Sequence, residues 1–154
     1  MIEINIEERK ERAVAYFNEG YNCAQSVFMA YSDLYDIDME LAKKLSASFG
    51  GGMGRLREVC GTCSGMFMIL GLHYPATDPT NQESKTANYA AVQRTAQTFK
   101  DIFGTIICAE LLKIKKRPIT SSPSDRNAEY YAKRPCARFV AEAAEILGKE
   151  IQST

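Results

Sequence analysis

Five cysteines, Cys23, Cys60, Cys63, Cys108 and Cys136, are the residues of this 154-residue sequence best suited to chemistry. The thiolate, rather than the thiol, attacks disulfides and ligates soft metals. Where thiols stay reduced, a set of this kind serves metal ligation or thiol redox chemistry ahead of structural disulfides. Cys60-Gly61-Thr62-Cys63 is a C-x-x-C pair, and residues three apart on a helix approach for a disulfide or share a metal. Neither standard template fits around it. A redox C-x-x-C expects a βαβ setting, which the sequence lacks, and a zinc ribbon expects a second close pair, whereas Cys108 and Cys136 stand alone.

The elements that must carry these thiols are helical. Cys23, Val27, Ala30 and Leu34 recur at intervals of four, three and four, one face of a helix, with Asn22 as its N-cap. Cys136, Val140, Ala143 and Leu147 repeat that spacing after Pro135, and Gly148 is expected to stop the helix. Val59, Cys63, Met66 and Leu70 form one row and Cys60, Ser64 and Phe67 the adjacent one, so a helix beginning near Glu58 and ending near Gly71 turns both thiols toward the core. The longest helix is signalled by Asp78-Pro79-Thr80 with Glu83, a capping-box arrangement, followed by Val92, Ala96, Phe99 and Phe103. Shorter amphipathic pieces cover residues 6–17, 39–49 and 105–113. No alternating strand of convincing length appears, and the expected fold is all-α: a single compact bundle of about six or seven helices over residues 1–154.

Helix starts matter because free amides and the dipole make them positive, which favours thiolate. Cys23, Cys60 and Cys136 are expected at such starts, with Arg55 and Arg57 before Cys60 and Lys133 and Arg134 before Cys136, so all three are candidates for a depressed pKa. The arginines can equally be solvated loop charges. Gly50-Gly51-Gly52-Met53-Gly54 must be a loop, and it lacks the spacing of a nucleotide-binding fingerprint, so a tight turn allowing close helix approach near Cys60 is preferred to a phosphate cradle. Residues 119–125 read as a surface connection.

Lys plus Arg equals Asp plus Glu at nineteen each, so no overall field favours nucleic acid or an anionic membrane. The basic run Lys113-Ile114-Lys115-Lys116-Arg117 reads as a solvated helix terminus. Residues 59–77 are uncharged but too interrupted to span a bilayer, and the charged opening segment lacks the apolar core of an export signal, so a cytoplasmic location is expected. His73 is the only histidine; cationic capping of a helix end is preferred to a base or ligand role. Met53, Met66 and Met68 are read as gap-fillers, and Tyr130 and Tyr131 as packing residues rather than a stacking platform.

Gly20-Tyr21-Asn22-Cys23-Ala24-Gln25, Phe49-Gly50-Gly51-Gly52-Met53-Gly54-Arg55 and Cys60-Gly61-Thr62-Cys63-Ser64-Gly65, followed by Cys108 and Cys136, resemble the C_GCAxxG_C_C family over nearly the whole chain. That family carries four characteristic cysteines and a Cys-Gly-Ala-x-x-Gly core. Matched by motif, the resemblance puts them on Cys23, Cys60, Cys108 and Cys136, with Gly61 and Gly65 as core glycines. Two departures stand out: Thr62 replaces the expected alanine, and Cys63 adds a fifth thiol. The resemblance implies a redox-active protein and leaves the substrate open.

Two versions follow. In one, Cys23, Cys60, Cys108 and Cys136 bind an iron-sulfur cluster or zinc. In the other, Cys60 attacks a disulfide and Cys63 or a spatial neighbour resolves it. The expected partners are a redox protein or a small thiol or disulfide substrate, with self-association into a homodimer left open. The alternative from a different class is a non-catalytic helical binding module whose cysteines hold structural zinc or are inert filler.

Overall fold

The computed structural model describes residues 2–115, 120–133 and 135–154, the side chains of Ala132 and Lys133 excepted. Local capping chemistry sets most helix starts. Asn5 accepts from the Glu8 amide at 3.1 Å and opens α1 (Ile6–Asn18), whose Glu7 and Glu8 face the positive end of the dipole. Asn22 and Gln25 form a reciprocal capping box at α2 (Cys23–Tyr31), and Asp38 caps α3 (Met39–Ser46). A 3-10 turn, Ser32–Tyr35, continues α2, and another, Ala47–Phe49, continues α3.

After the glycine loop come α4 (Gly61–His73), α5 (Gln82–Phe103), the short α6 (Cys108–Leu111) and α7 (Ala128–Lys133), and finally α8 (Cys136–Gln152). Among the described residues the architecture is all-α, and the only β-like feature is an isolated antiparallel bridge between Val59 and Ile107. Six helices reach seven residues or more, in line with the expected bundle, and α6 and α7 add two short ones. Among the described residues no helix is long and apolar enough to cross a membrane.

The centre of the bundle is α2, which packs against α1, α3, α4 and α8, while α8 also lies against α1, α4 and α5. Phe17, Phe28, Met29, Tyr31, Met66, Leu70, Phe99 and Leu147 are fully buried between them. Both cysteine-headed stripes are buried as expected: Val27 and Ala30 on α2, and Val140, Ala143 and Leu147 on α8. Met66 fills the core, while Met53 is exposed.

Helix ends correct the sequence reading in four places. Gly71 does not stop α4, which runs on to His73, because an exposed glycine with nothing near it merely weakens a helix whose apolar stripe continues. Gly148 lies inside α8, and a Cβ there would meet the Tyr31 hydroxyl at 2.6 Å, so this glycine makes room for Tyr31 to donate to the Ala144 carbonyl. At α5, Asp78 and Thr80 form a local turn, with Asn81 as the true N-cap, accepting from the Ser84 amide at 3.1 Å. The expected helix over 105–113 shrinks to α6, because residues 105–107 are drawn into the bridge with Val59.

Candidate functional site

Four of the five thiols meet. Cys23, Cys60, Cys108 and Cys136 all line one cavity of about 60 Å³, together with Arg57, Arg126, Tyr130 and Phe139. Each thiol belongs to a helix start. Cys23, Cys108 and Cys136 are the first residues of α2, α6 and α8, and Cys60 is the N-cap of α4. Four helix starts therefore face one small space, and their free amides lend it positive potential.

The sequence builds this convergence through close backbone contacts. Gly65 sits on Ala24, where a Cβ would come within 2.6 Å of the Ala24 carbonyl oxygen. One turn earlier, a Cβ on Gly61 would meet the Phe49 oxygen at 3.0 Å and Cys23 Cβ at 3.2 Å. Two glycines four apart thus let α4 lie directly on the start of α2, bringing Cys60 beside Cys23. Cys60 and Cys108 are joined by main chain: the Cys60 amide donates to the Ile106 carbonyl at 2.7 Å and the Cys108 amide to the Glu58 carbonyl at 2.6 Å. Gly52, with φ +73°, presses on the same place; a Cβ there would meet Cys108 Cβ, Arg57 Cα and the Glu58 nitrogen, all at 2.7 Å.

Cys23, Cys60, Cys63 and Cys108 differ in acidity. Cys60 is pulled down to about 7, first by the hydrogen bond from the Cys63 thiol, with the Thr62 hydroxyl and the Thr62 and Cys63 amides adding to it against the cost of burial. The Thr62 oxygen lies 3.0 Å from Cys60 Sγ. Cys63 is pushed far up by donating to Cys60 and by complete burial. Cys23 is raised by its hydrogen bond with Cys136 and by burial, with Arg126 acting in the opposite sense. Burial also raises Cys108, opposed by the guanidinium of Arg57, whose Nη1 lies 3.6 Å from the sulfur. Of the three thiols expected to be depressed, Cys23, Cys60 and Cys136, the expectation holds at Cys60 and fails at Cys23, where the hydrogen bond with a neighbouring thiol acts in the opposite sense. None of the five cysteines is in a disulfide.

Two arginines complete the lining. Arg57 is only 6% exposed and holds φ +62° in a loop where Met53 and Arg55 are also left-handed, conformations that cost a non-glycine residue energy. Its thiol contact is with Cys108, not with Cys60 as its place in the sequence suggested. Arg126 donates to the Phe17 and Tyr21 carbonyls and lies over the rings of Phe17 and Tyr130, at 4.5 and 4.8 Å from their centroids. Sequence reasoning missed Arg126 because it sits near an irregular connection with no periodicity to give it a face. Tyr131 packs edge-on against Phe17, as expected of a packing residue, while Tyr130 also forms part of the cavity wall.

The glycine loop is a tight turn. Consecutive amides from Met53 to Glu58 all donate to nearby backbone carbonyls, including Gly54 to Ser48 at 2.7 Å and Glu58 to Gly52 at 3.0 Å, so they are not turned toward a phosphate. His73 is not a cationic cap. Burial lowers its pKa, and its ring nitrogens pair with the Tyr35 hydroxyl at 2.9 Å and the Thr154 hydroxyl at 2.8 Å. Lys113 and Lys115 are exposed, as a solvated terminus requires. Lys116, Arg117, Ile119, Arg134 and the side chain of Lys133 lie outside the described residues.

As a metal centre the site lacks one property. Soft thiolates are the right donors for zinc or an iron-sulfur cluster. Yet among the described residues no group of three or more His, Cys, Asp or Glu side chains is disposed to hold a metal ion. Cys63, the second residue of the C-x-x-C pair, lies behind the cavity wall rather than on it.

A family model described as "Putative redox-active protein (C_GCAxxG_C_C)" matches residues 21–150, a stretch that contains every residue of the cavity. No curated protein and no solved structure matches the chain.

Proposed function

The chain belongs to the C_GCAxxG_C_C family, and from that premise we propose that it is a thiol-disulfide redox protein in which Cys60 is the attacking group and Cys63 the resolving one. The observation that carries this reading is the asymmetry of the pair. Cys60 lines the cavity with its pKa drawn down to about 7, so near neutral pH roughly half of it is thiolate; Cys63 is enclosed and held as a thiol that donates to it.

The exchange runs in two steps. Cys60 thiolate attacks one sulfur of a substrate disulfide, forming a Cys60 mixed disulfide and expelling one substrate thiolate. Cys63 then attacks Cys60 Sγ, its proton passing to the expelled thiolate, and the second substrate thiolate leaves. The protein loses two electrons in forming the Cys60–Cys63 disulfide, and the substrate gains them. An external dithiol restores the pair by the reverse exchange.

The test is the pH dependence of Cys60 alkylation by iodoacetamide, mapped by mass spectrometry, together with peptide mapping after oxidation by a small disulfide. An inflection near pH 7 at Cys60 and a Cys60–Cys63 disulfide are expected. Ordinary thiol behaviour at Cys60 with no disulfide to it would refute the reading. The metal version concerns the same four cavity cysteines, Cys23, Cys60, Cys108 and Cys136. Stoichiometric metal or cluster absorption in anaerobically purified protein would move the function to that set. A protein indifferent to redox state and free of metal would point to the binding-module reading.

A further inference from the structure

The thiol cavity adjoins a second, larger one. This outer space, of about 400 Å³, shares Asn22, Gly51, Arg57, Arg126 and Tyr130 with the inner one and adds Arg55, Ser121 and Ser124. Among the described residues, three arginines line the two cavities, and no Asp or Glu side chain lines either. Arg57, though only 6% exposed, gives Nη1 to a sulfur and has no carboxylate among the residues that line the space with it. Arg126 uses Nη1 and Nη2 on two backbone carbonyls, which takes two of its five N–H donors. Cationic forks facing a cavity without internal carboxylates are complementary to anions, and the planar guanidinium can hold a carboxylate through two parallel hydrogen bonds.

Size narrows the ligand. The inner cavity, at about 60 Å³, admits only a few heavy atoms, such as a sulfur and its methylene, whereas the outer volume is that of a small-molecule site. Resting on the thiol-redox reading above, we infer that the substrate is a low-molecular-weight disulfide bearing carboxylates, its sulfur reaching Cys60 through the inner cavity while Arg55, Arg57 and Arg126 hold its anionic groups in the outer one. The redox step is the exchange already given, with this disulfide as the electron acceptor and an external dithiol as the reductant. Recognition rests on these side chains, since the amides from Met53 to Glu58 in the neighbouring loop are already spent on backbone carbonyls.

The experiment compares three symmetric disulfides as oxidants of the reduced full-length protein: dithiodiglycolate (a dianion), hydroxyethyl disulfide (neutral) and cystamine (a dication). Each rate at Cys60 is divided by that of free mercaptoethanol with the same disulfide. The dianion is expected to lead the neutral compound by about tenfold at low salt, with cystamine slowest, and the lead should shrink as salt screens it. In Arg126→Gln and Arg55→Gln the lead should fall severalfold, while Lys100→Gln, an equal charge change on an exposed residue of α5, should keep it. An equal or inverted order in the wild type, or a lead untouched in both arginine variants, overturns the inference; the wild-type salt series decides if a variant does not fold. Should none of the three oxidise Cys60, the redox reading fails by itself, and thiodiglycolate, a dicarboxylate thioether that cannot exchange, takes over as probe. Slower iodoacetamide modification of Cys60 in its presence, lost in Arg126→Gln, would then sustain the anion site, and no protection would end it.

Discussion

At the residue scale, the two departures from the family core act on one atom. Thr62 puts a hydroxyl 3.0 Å from Cys60 Sγ where alanine has none, and Cys63 supplies the hydrogen bond that lowers Cys60 most. Both stabilise the thiolate over the thiol. Thr62→Ala is therefore expected to move the Cys60 alkylation inflection upward from about 7 by less than about one unit, and Cys63→Ala to move it further. The same iodoacetamide titration checks both, and an unmoved inflection in Cys63→Ala would show that the helix start alone sets the acidity. The C-x-x-C pair and the family positions were legible from residue types. The ranking of acidities was not, because it depends on which sulfur meets which donor: Cys23 faces Cys136 and rises, while Cys60 faces Cys63 and falls.

At the scale of elements, the site depends on α4 lying against the N-terminal turn of α2. The Ala24 carbonyl is backbone and cannot swing aside for a Cβ that would arrive at 2.6 Å, so Gly65→Ala must push the two helices apart. Overpacking of this kind costs about 1–3 kcal/mol. Chemical denaturation should show a loss in that range, accompanied by a Cys60 inflection displaced from about 7 as α4 moves; wild-type stability would show that the contact is soft. Asn22→Ala should cost about 1 kcal/mol by removing the capping box. It also deletes the bond from Asn22 Nδ2 to the Ala47 carbonyl that ties α2 to the turn before the glycine loop, and thermal melting measures the sum. Apolar spacing predicted the buried stripes of α2 and α8 well, since a period of three to four residues is a property of the chain itself. Helix ends were read less well at Gly71 and Gly148, because a glycine stops a helix only where the surroundings do not pull the helix onward.

At the scale of the whole molecule, four helix starts turned inward create opposed titrations. Cys60 has a folded value below the ordinary thiol range, so its contribution to stability is complete above that range and is lost as pH falls through about 7. Cys23, Cys63 and Cys108 are raised, so theirs is complete below the ordinary range and is lost as pH climbs beyond it. Under strict reduction, the melting-temperature advantage of the wild type over Cys60→Ser should grow from pH 6 to 8.5. A difference that stays flat across that window would mean that Cys60 titrates alike in folded and unfolded chains.

The amino-acid order by itself determined the all-α class, the buried stripes behind Cys23 and Cys136, and the family-matched cysteines, because periodicity and motif spacing are local properties that survive without a partner. Only tertiary structure decided that Cys23, Cys60, Cys108 and Cys136 share a cavity while Cys63 stands behind it, and that Arg126 reaches the same space from a distant connection. The reason is physical: those neighbours are set by where backbones can touch, at Gly65 on Ala24, at Gly52 on Cys108 and across the Val59–Ile107 bridge, and such contacts between residues far apart in the chain leave no spacing to read.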